Sequence, residues 1–372
     1  MNLPDLDATP LRYRLLGISA LEVFFGLSAG LCATVEAEAD LADLARYFEH
    51  IRYPGLPAWD ALIPRGERDV LVRTDAGSNG HDHPLLQFSW DPARRAFHDP
   101  HDLYPLLKEA RLRLRNGGSV PGVLEPVPVP GLMPLEAALL CARFPFIPEG
   151  TIDAWIPDTV LPPEFHRLLL SGILTGSYAS RGLEILMESG YIPAVLPELA
   201  LMDETDHSKE GHPEGNVWRH TVETLDYRKT ADLRTSLALL LHDSGKPFAD
   251  TRGERRFNRH AEIGAEMAGK ILRRVGFPET VIQDVRWLIR FHMIPGALDI
   301  LPDHRRDPVM ASPLFPLLLE VYRCDLSSTY RGPEGYYRAC RVYRRYLKRH
   351  RSSGSWARQD EEHRKKLKLY VD

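Results

Sequence analysis

The spacing of hydrophobic positions changes along the chain. Up to about residue 128, short apolar runs alternate with Gly-, Asn- and Asp-rich breaks. DVLVRT (69–74) and LLQFSW (85–90) are rich in β-formers and predict strands. LEVFFG (21–26) closes a helix, and LADLARYFEHI (41–51) is amphipathic, with Leu41, Leu44, Ala45, Phe48 and Ile51 on one stripe. TDAGSNGHDHP (74–84) reads as a loop. After a Pro/Gly/Val-rich connector, GGSVPGVLEPVPVPG (117–131), the spacing becomes helical. MPLEAALLCARF (133–144) starts with Pro134 in its first turn, and LPPEFHRLLLSGIL (161–174) and RGLEILMESGYI (181–192) follow. Asn216 and Asp232 stand where N-caps belong, before VWRHTVETLDYRK and LRTSLALLLHD. His260 opens HAEIGAEMAGKILRRVGF, which Gly276 ends. ETVIQDVRWLIRFH and SPLFPLLLEVYRCD complete a bundle pattern. The expected fold is α+β: a small mixed α/β head (1–128), a mainly helical neck (129–205), an all-α domain (206–334) and a basic C-terminal helical tail (335–372).

Composition narrows the class. With 372 residues, 44% hydrophobic and 26% charged, the chain has room for two or three domains with ordinary cores. A net charge of −4 carries no global nucleic-acid signal, but the tail differs. From Gly335 on there are twelve Lys/Arg against four Asp/Glu, a net of +8. In RACRVYRRYLKRHR, Arg338, Arg341, Arg345, Lys348 and Arg349 share overlapping helix faces, with Tyr343 and Tyr346 interleaved and Trp356 beyond. Such a segment either contacts RNA, through phosphates and stacked bases, or packs its aromatics on the bundle and solvates its charges. The four cysteines show no CxxC spacing, which fits a reducing compartment. The apolar run Leu15 to Thr34 contains Glu22 and lacks a convincing cleavage pattern, so it reads as a core segment of a cytoplasmic protein without a membrane span.

The candidate chemistry lies between Gly211 and Asp325. His220, the adjacent His242-Asp243, His260, His292 and Asp325 fall near the ends of helical patterns. Imidazoles with carboxylates suit a divalent metal, one or two ions of Mn, Fe, Co, Ni, Zn or Mg. A His-Asp pair ending the apolar run Leu237 to Leu241 is costly to bury unless something pairs with it. Lys246, three residues past Asp243, can reach a phosphate as a point charge or lie solvated in its loop. His212 and Glu214 precede the first ligand. His81, His83, His98 and His101 flank Asp and Pro in loop-like sequence, and His50, His166, His207 and His350 read as surface residues.

HPEGNVWRHT (212–221), LLHDSGKP (240–247), RHAEIGAEMAGKILRR (259–274) and the late Asp325 resemble, in this order, the HD superfamily of metal-dependent phosphohydrolases. In particular they resemble the HD domain of some bacterial CCA-adding tRNA nucleotidyltransferases. The resemblance implies His220, His242, Asp243 and Asp325 as ligands of a first metal. It places His260 and His292 either at a second metal bridged by Asp243 or as phosphate and acid–base groups. ILMESGYIPAVLPEL (185–199) is similar to the neck of those enzymes, and GISALEVFFG (17–26), LCATVEAEADLADLARYF (31–48), HDHPLLQFSWD (81–91) and FHDPHDLYPLLKEARLRL (97–114) to their head. The departures matter: the family's Arg-Asp pair falls at Leu21-Glu22, and its DxD carboxylates near Cys32 and Thr34. Nucleotidyl transfer needs carboxylates for its metals, so a degenerate head that has lost that chemistry is expected; the alternative is an unrelated α/β domain. The implied activity is phosphohydrolase or phosphodiesterase action on nucleotide or RNA-end phosphates, including 2′,3′-cyclic phosphates, with Asp243, Lys246, His260 and His292 as catalytic candidates. The competing readings are a non-catalytic tRNA-binding protein, a di-iron HD oxygenase and an active nucleotidyltransferase.

Overall fold

A computed structural model describes residues 3–27, 30, 32–54, 59–65, 69–74, 83–115, 125–128, 132–155, 161–206, 215–249, 257–329, 332–350 and 361–371. The chain divides into two compact units, Met1–Tyr191 and Ile192–Asp372. The segment expected as a neck is split between them: its helices up to Glu188 fold with the sheet, and Pro197–Asp203 belongs to the second unit.

The first unit is built on a six-stranded mixed sheet of order β3-β4-β2-β1-β5-β6. Its strands are β1 (Tyr13–Leu16), β2 (Cys32–Ala37), β3 (Ala61–Ile63), β4 (Asp69–Thr74), β5 (Ser89–Asp91) and β6 (Ala96–His98). β2 and β4 run parallel, and the other pairings are antiparallel. The strand expected over 85–90 starts late. Pro84–Gln87 is a helical turn, with Pro84 fixing φ for the first turn and His83 Nδ1 accepting from Leu85 N–H, and only Ser89 onward joins the sheet. The stripe over 41–51 is also shorter than expected. The helix stops at Tyr47; Leu44 and Phe48 are buried, while Leu41 is 48% exposed.

The helix Gly17–Phe25 ends at Gly26, whose φ of 67° returns its N–H to the last carbonyls. It packs Phe24 into an aromatic cluster with Phe88, Phe97 and Tyr104. Its Glu22 is buried against Arg143 at 2.7 Å and also accepts from Gly30 N–H. Arg143 ends the helix Pro134–Arg143 and donates to Gly172 O. The loop expected over 74–84 and most of the 117–131 connector lie outside the described residues.

The second unit is a helical bundle, and the capping chemistry appears where the sequence placed it. Asn216 accepts from Arg219 N–H at the head of Val217–Thr224, and Asp232 from Thr235 N–H at the head of Leu233–Leu241. His260–Arg274 packs along Glu279–Phe291; between them, Gly276 at φ 79° and the Phe277 N–H to Leu272 O bond close the first helix. Phe315–Ser327 crosses the core. Glu334–His350 carries the basic run, and Glu361–Tyr370 returns to the bundle, burying Tyr370 beside Thr230 at 2.7 Å. All four cysteines are free, and no helix among the described residues is long and apolar enough to cross a membrane.

Breaking a buried ion pair by removing one partner leaves the other charge unpaired. Arg143→Met therefore lowers stability by about 3–5 kcal/mol in urea unfolding. The double variant with Glu22→Gln recovers a large part of that loss.

Candidate metal centre

Each candidate ligand sits at or near a helix end. His220 lies in Val217–Thr224, His242 ends Leu233–Leu241, and Asp243 follows in the turn. His260 opens its helix, His292 ends Glu279–Phe291, and Asp325 lies in the last turn of Phe315–Ser327. The structure brings all six together. Their donor atoms form two adjoining groups, His220–His242–Asp325 and Asp243–His260–His292.

A repeated local device aims the imidazoles. His242, His260 and His292 each donate Nδ1–H to the carbonyl three residues earlier: Leu239 at 2.7 Å, Phe257 at 2.9 Å and Ile289 at 2.7 Å. Each of these carbonyls lies one turn before its ring, and the bond holds the imidazole in place. His220 Nδ1 bonds Ser328 Oγ at 3.1 Å, and that hydroxyl donates to Asp325 O. Every Nδ1 is thereby engaged, and the four Nε2 lone pairs point inward. His220 Nε2 lies 3.0 Å from Asp325 Oδ1, His242 Nε2 lies 3.2 Å from Asp243 Oδ2, and His260 Nε2 lies 3.6 Å from Asp243 Oδ1. One Asp243 oxygen thus faces each group.

Gly245 makes this approach possible. A Cβ there would stand 2.1 Å from His260 O and 2.6 Å from Gly264 N. Phe257 and Arg259, both non-glycine residues at positive φ, bend the backbone into the His260 helix. Each left-handed residue costs on the order of 1–2 kcal/mol, a strain the surrounding packing holds.

The donor set fits a divalent cation. His242 Nε2 is buried without a hydrogen bond, Asp243 Oδ2 meets Lys246 Nζ at 2.6 Å, and the Nε2 atoms of His260 and His292 face each other at 3.3 Å. Lone pairs meeting in a low-dielectric pocket need a proton or a metal between them. The electrostatics agree. Burial disfavours the charged form of His242, but Asp243 and Asp325 overcome it and hold the imidazole up at about 10. Burial, with the neighbouring His242 and His260, pushes His292 down to about 4. Burial opposes ionisation of Asp243 and Asp325 as well, yet the surrounding imidazoles, joined at Asp243 by Lys246, keep both well below the usual carboxylate range.

Lys246 does not lie solvated in its loop. It is 9% exposed, with Nζ 2.6 Å from Asp243 Oδ2 and 5.6 Å from the Phe257 ring centroid. His212 and Glu214 lie outside the described residues, as do His81 and His207. His83 caps a helical turn and His101 bonds Gln87, so the head histidines form no ligand group among the described residues. His166 is half-buried on Tyr191 OH rather than a surface residue. The sequence reading missed Ser328 and Gly245; the signal for Ser328 was its position one helical turn past Asp325.

Residues 216–325 match the HD domain family, a span that contains all six candidate ligands and ends on Asp325. Over that span the chain is similar to the HD domain family, and it is also similar to tRNA nucleotidyltransferases. It is 36% identical over 156 residues to the CC-adding tRNA nucleotidyltransferase of Thermus thermophilus (38% of this chain, 32% of the relative). It is 31% identical over 218 residues to the A-adding tRNA nucleotidyltransferase of Deinococcus radiodurans (56% of this chain, 46% of the relative). The matched segments thus span less than half the length of these relatives. The CCA-adding enzyme of Bacillus stearothermophilus, solved with CTP, superposes over 98% of this chain and 80% of its own at a TM-score of 0.41 and 12% identity.

Two adjoining donor groups sharing Asp243 predict up to two equivalents of metal after loading with Mn²⁺ or Fe²⁺, counted by elemental analysis. The double variant His260→Ala/His292→Ala should retain about one. Loss of all metal in that variant would show a single, shared site.

Proposed function

We propose that the HD domain is a metal-dependent phosphohydrolase or phosphodiesterase acting on nucleotide or RNA-end phosphates, 2′,3′-cyclic phosphates included. The observation that carries this reading is the convergence of four Nε2 atoms and two carboxylates around buried, unsatisfied donors. The enclosure is tight at His220, His242 and His292 and opens at His260 and Asp325, whose side chains are 15% and 22% exposed. A phosphate therefore enters on the His260–Asp325 side. His220, His242, Asp243 and Asp325 would hold a first ion, and His260 and His292, with Asp243, a second. A bound divalent ion polarises a phosphoryl oxygen and lowers the pKa of a bound water. Lys246 balances the Asp243 charge from within the pocket. With His292 enclosed, His260 is the imidazole placed to exchange a proton with substrate when it is not ligating.

The relatives are named for nucleotide addition, so transferase activity is the rival. Three features of the head favour its loss. Cys32, Thr34 and Glu36 share one face of β2, where alternate residues point the same way. Thr34 is tied into the backbone, accepting from Ser19 N–H and donating to Leu16 O. Glu36 is neutralised by Arg14 and Arg73. No group of three or more His, Cys, Asp or Glu ligand atoms gathers there among the described residues.

The test is hydrolysis of a panel containing 2′,3′-cyclic AMP and an aryl phosphate ester by metal-loaded protein. Turnover is expected, with at least a hundredfold loss in Asp243→Ala and no addition of labelled CTP or ATP to tRNA. Turnover indifferent to Asp243, or incorporation of label, would reject the proposal.

RNA contact is the second element of the reading, in altered form. Tyr343 and Tyr346, expected as stacking residues, are buried, with Tyr343 packed on Phe315 at 4.4 Å. What faces solvent is Tyr337 with Arg338, Arg341, Arg345 and Lys348, a stripe roughly 15 Å long by helical rise. Arg349 pairs with Asp303 and Asp307, but these four cations have no carboxylate partner among the described residues. Replacing the four with Gln should weaken tRNA binding and flatten its dependence on log salt by roughly 0.7–0.9 for each phosphate the stripe neutralises. An unchanged slope would remove the stripe from the interface.

A further inference from the structure

The first unit encloses a cavity of about 120 Å³ that the metal centre does not use. It lies beside the face of β2 that carries Cys32 and Thr34. Its walls come from the sheet and from the helices Pro134–Arg143 and Pro163–Leu174, through Trp59, Leu71, Leu86, Leu139, Phe165 and Leu168. Cys32 and Thr34, half-buried, also line it.

The polar groups in the lining leave little charge to meet a ligand. Glu22 and Arg143 cancel each other at 2.7 Å, and Arg143 is further engaged by Gly172 O. Glu136 is buried, accepts from Met133 N–H, and has its carboxyl pushed up to about 8 by burial, so it is largely neutral at pH 7. A triphosphate would bring several negative charges into an apolar pocket whose arginine is already neutralised, and transfer of such charges out of water is prohibitive. The space itself is comparable to the ~150 Å³ apolar cavities that accept benzene-sized guests. Concave, mainly apolar walls with a few polar groups are the usual make-up of small-molecule sites.

We propose that this cavity binds a small, neutral, one- or two-ring compound in place of a nucleoside triphosphate. The aromatic and leucine walls cover its faces. The backbone-anchored Thr34 hydroxyl and the Glu136 carboxyl offer polar contacts at its edge.

Cys32 gives a direct reporter, since the other three cysteines are buried. The full-length protein is treated with N-ethylmaleimide, and modification at each cysteine is followed by mass spectrometry, with indole as the probe ligand and CTP or ATP as competitors. Indole should slow Cys32 modification at least fivefold and saturably, while the nucleotides leave the rate unchanged. Leu168→Trp, which fills the cavity, should abolish the protection. Leu86→Phe, from the opposite wall, replaces it if that variant does not fold, as judged by circular dichroism. Protection by CTP or ATP but not indole would overturn the proposal in favour of a retained nucleotide site. Absence of protection, or protection that survives in the filled variants, would overturn it as well. None of these outcomes depends on the phosphohydrolase reading, because metal content and turnover are read from the other unit.

Discussion

Four imidazole lone pairs and two carboxylates meet at one end of the second unit, and this convergence governs how that unit is built. Bringing six ionisable groups out of water is unfavourable unless each is paired. Lys246 neutralises part of the charge through Asp243 at 2.6 Å. What remains is a buried His242 Nε2 without a hydrogen bond and the Nε2 atoms of His260 and His292 facing each other at 3.3 Å. A divalent cation answers that arrangement.

The bundle serves this constraint with ordinary helix physics. His242 and His292, at helix C-termini, use the carbonyl one turn earlier to fix ring orientation. The same bonds select the tautomer that exposes Nε2, so the backbone sets the direction of the lone pairs without additional residues. Gly245 lets the turn after Asp243 press against the first turn of the His260 helix, which brings ligands distant in sequence within 4 Å. The tight backbone at Phe257 and Arg259 is part of the same junction.

The first unit shows the opposite case. Its sheet keeps β2 and β4 parallel beside the helix Gly17–Phe25, but the positions that would carry metal-binding carboxylates hold a thiol and a hydroxyl. The neighbouring space is lined by leucines and aromatics, and the acids in its walls are paired or neutral. One unit thus concentrates buried ionisable groups in one place, while the other pairs or neutralises those it buries.

Much of this was legible in the sequence. Caps at Asn216 and Asp232, the Pro134 helix start and the Gly276 stop are local events within one turn, so residue type alone determined them. The candidate ligands and their order were equally visible, because HD spacing is a linear pattern. Tertiary structure decided the rest. Leu85 and Leu86 went into a helical turn rather than a strand, since Pro84 and His83 start one there. Tyr343 and Tyr346 faced the core instead of solvent because the apolar side of their helix had Phe315 to pack against. Lys246 turned inward to Asp243, and Asp243 came to stand between two donor groups, because helix ends separated by tens of residues share one place in space. The sequence could name those residues; only the packing of the helices could bring them into contact.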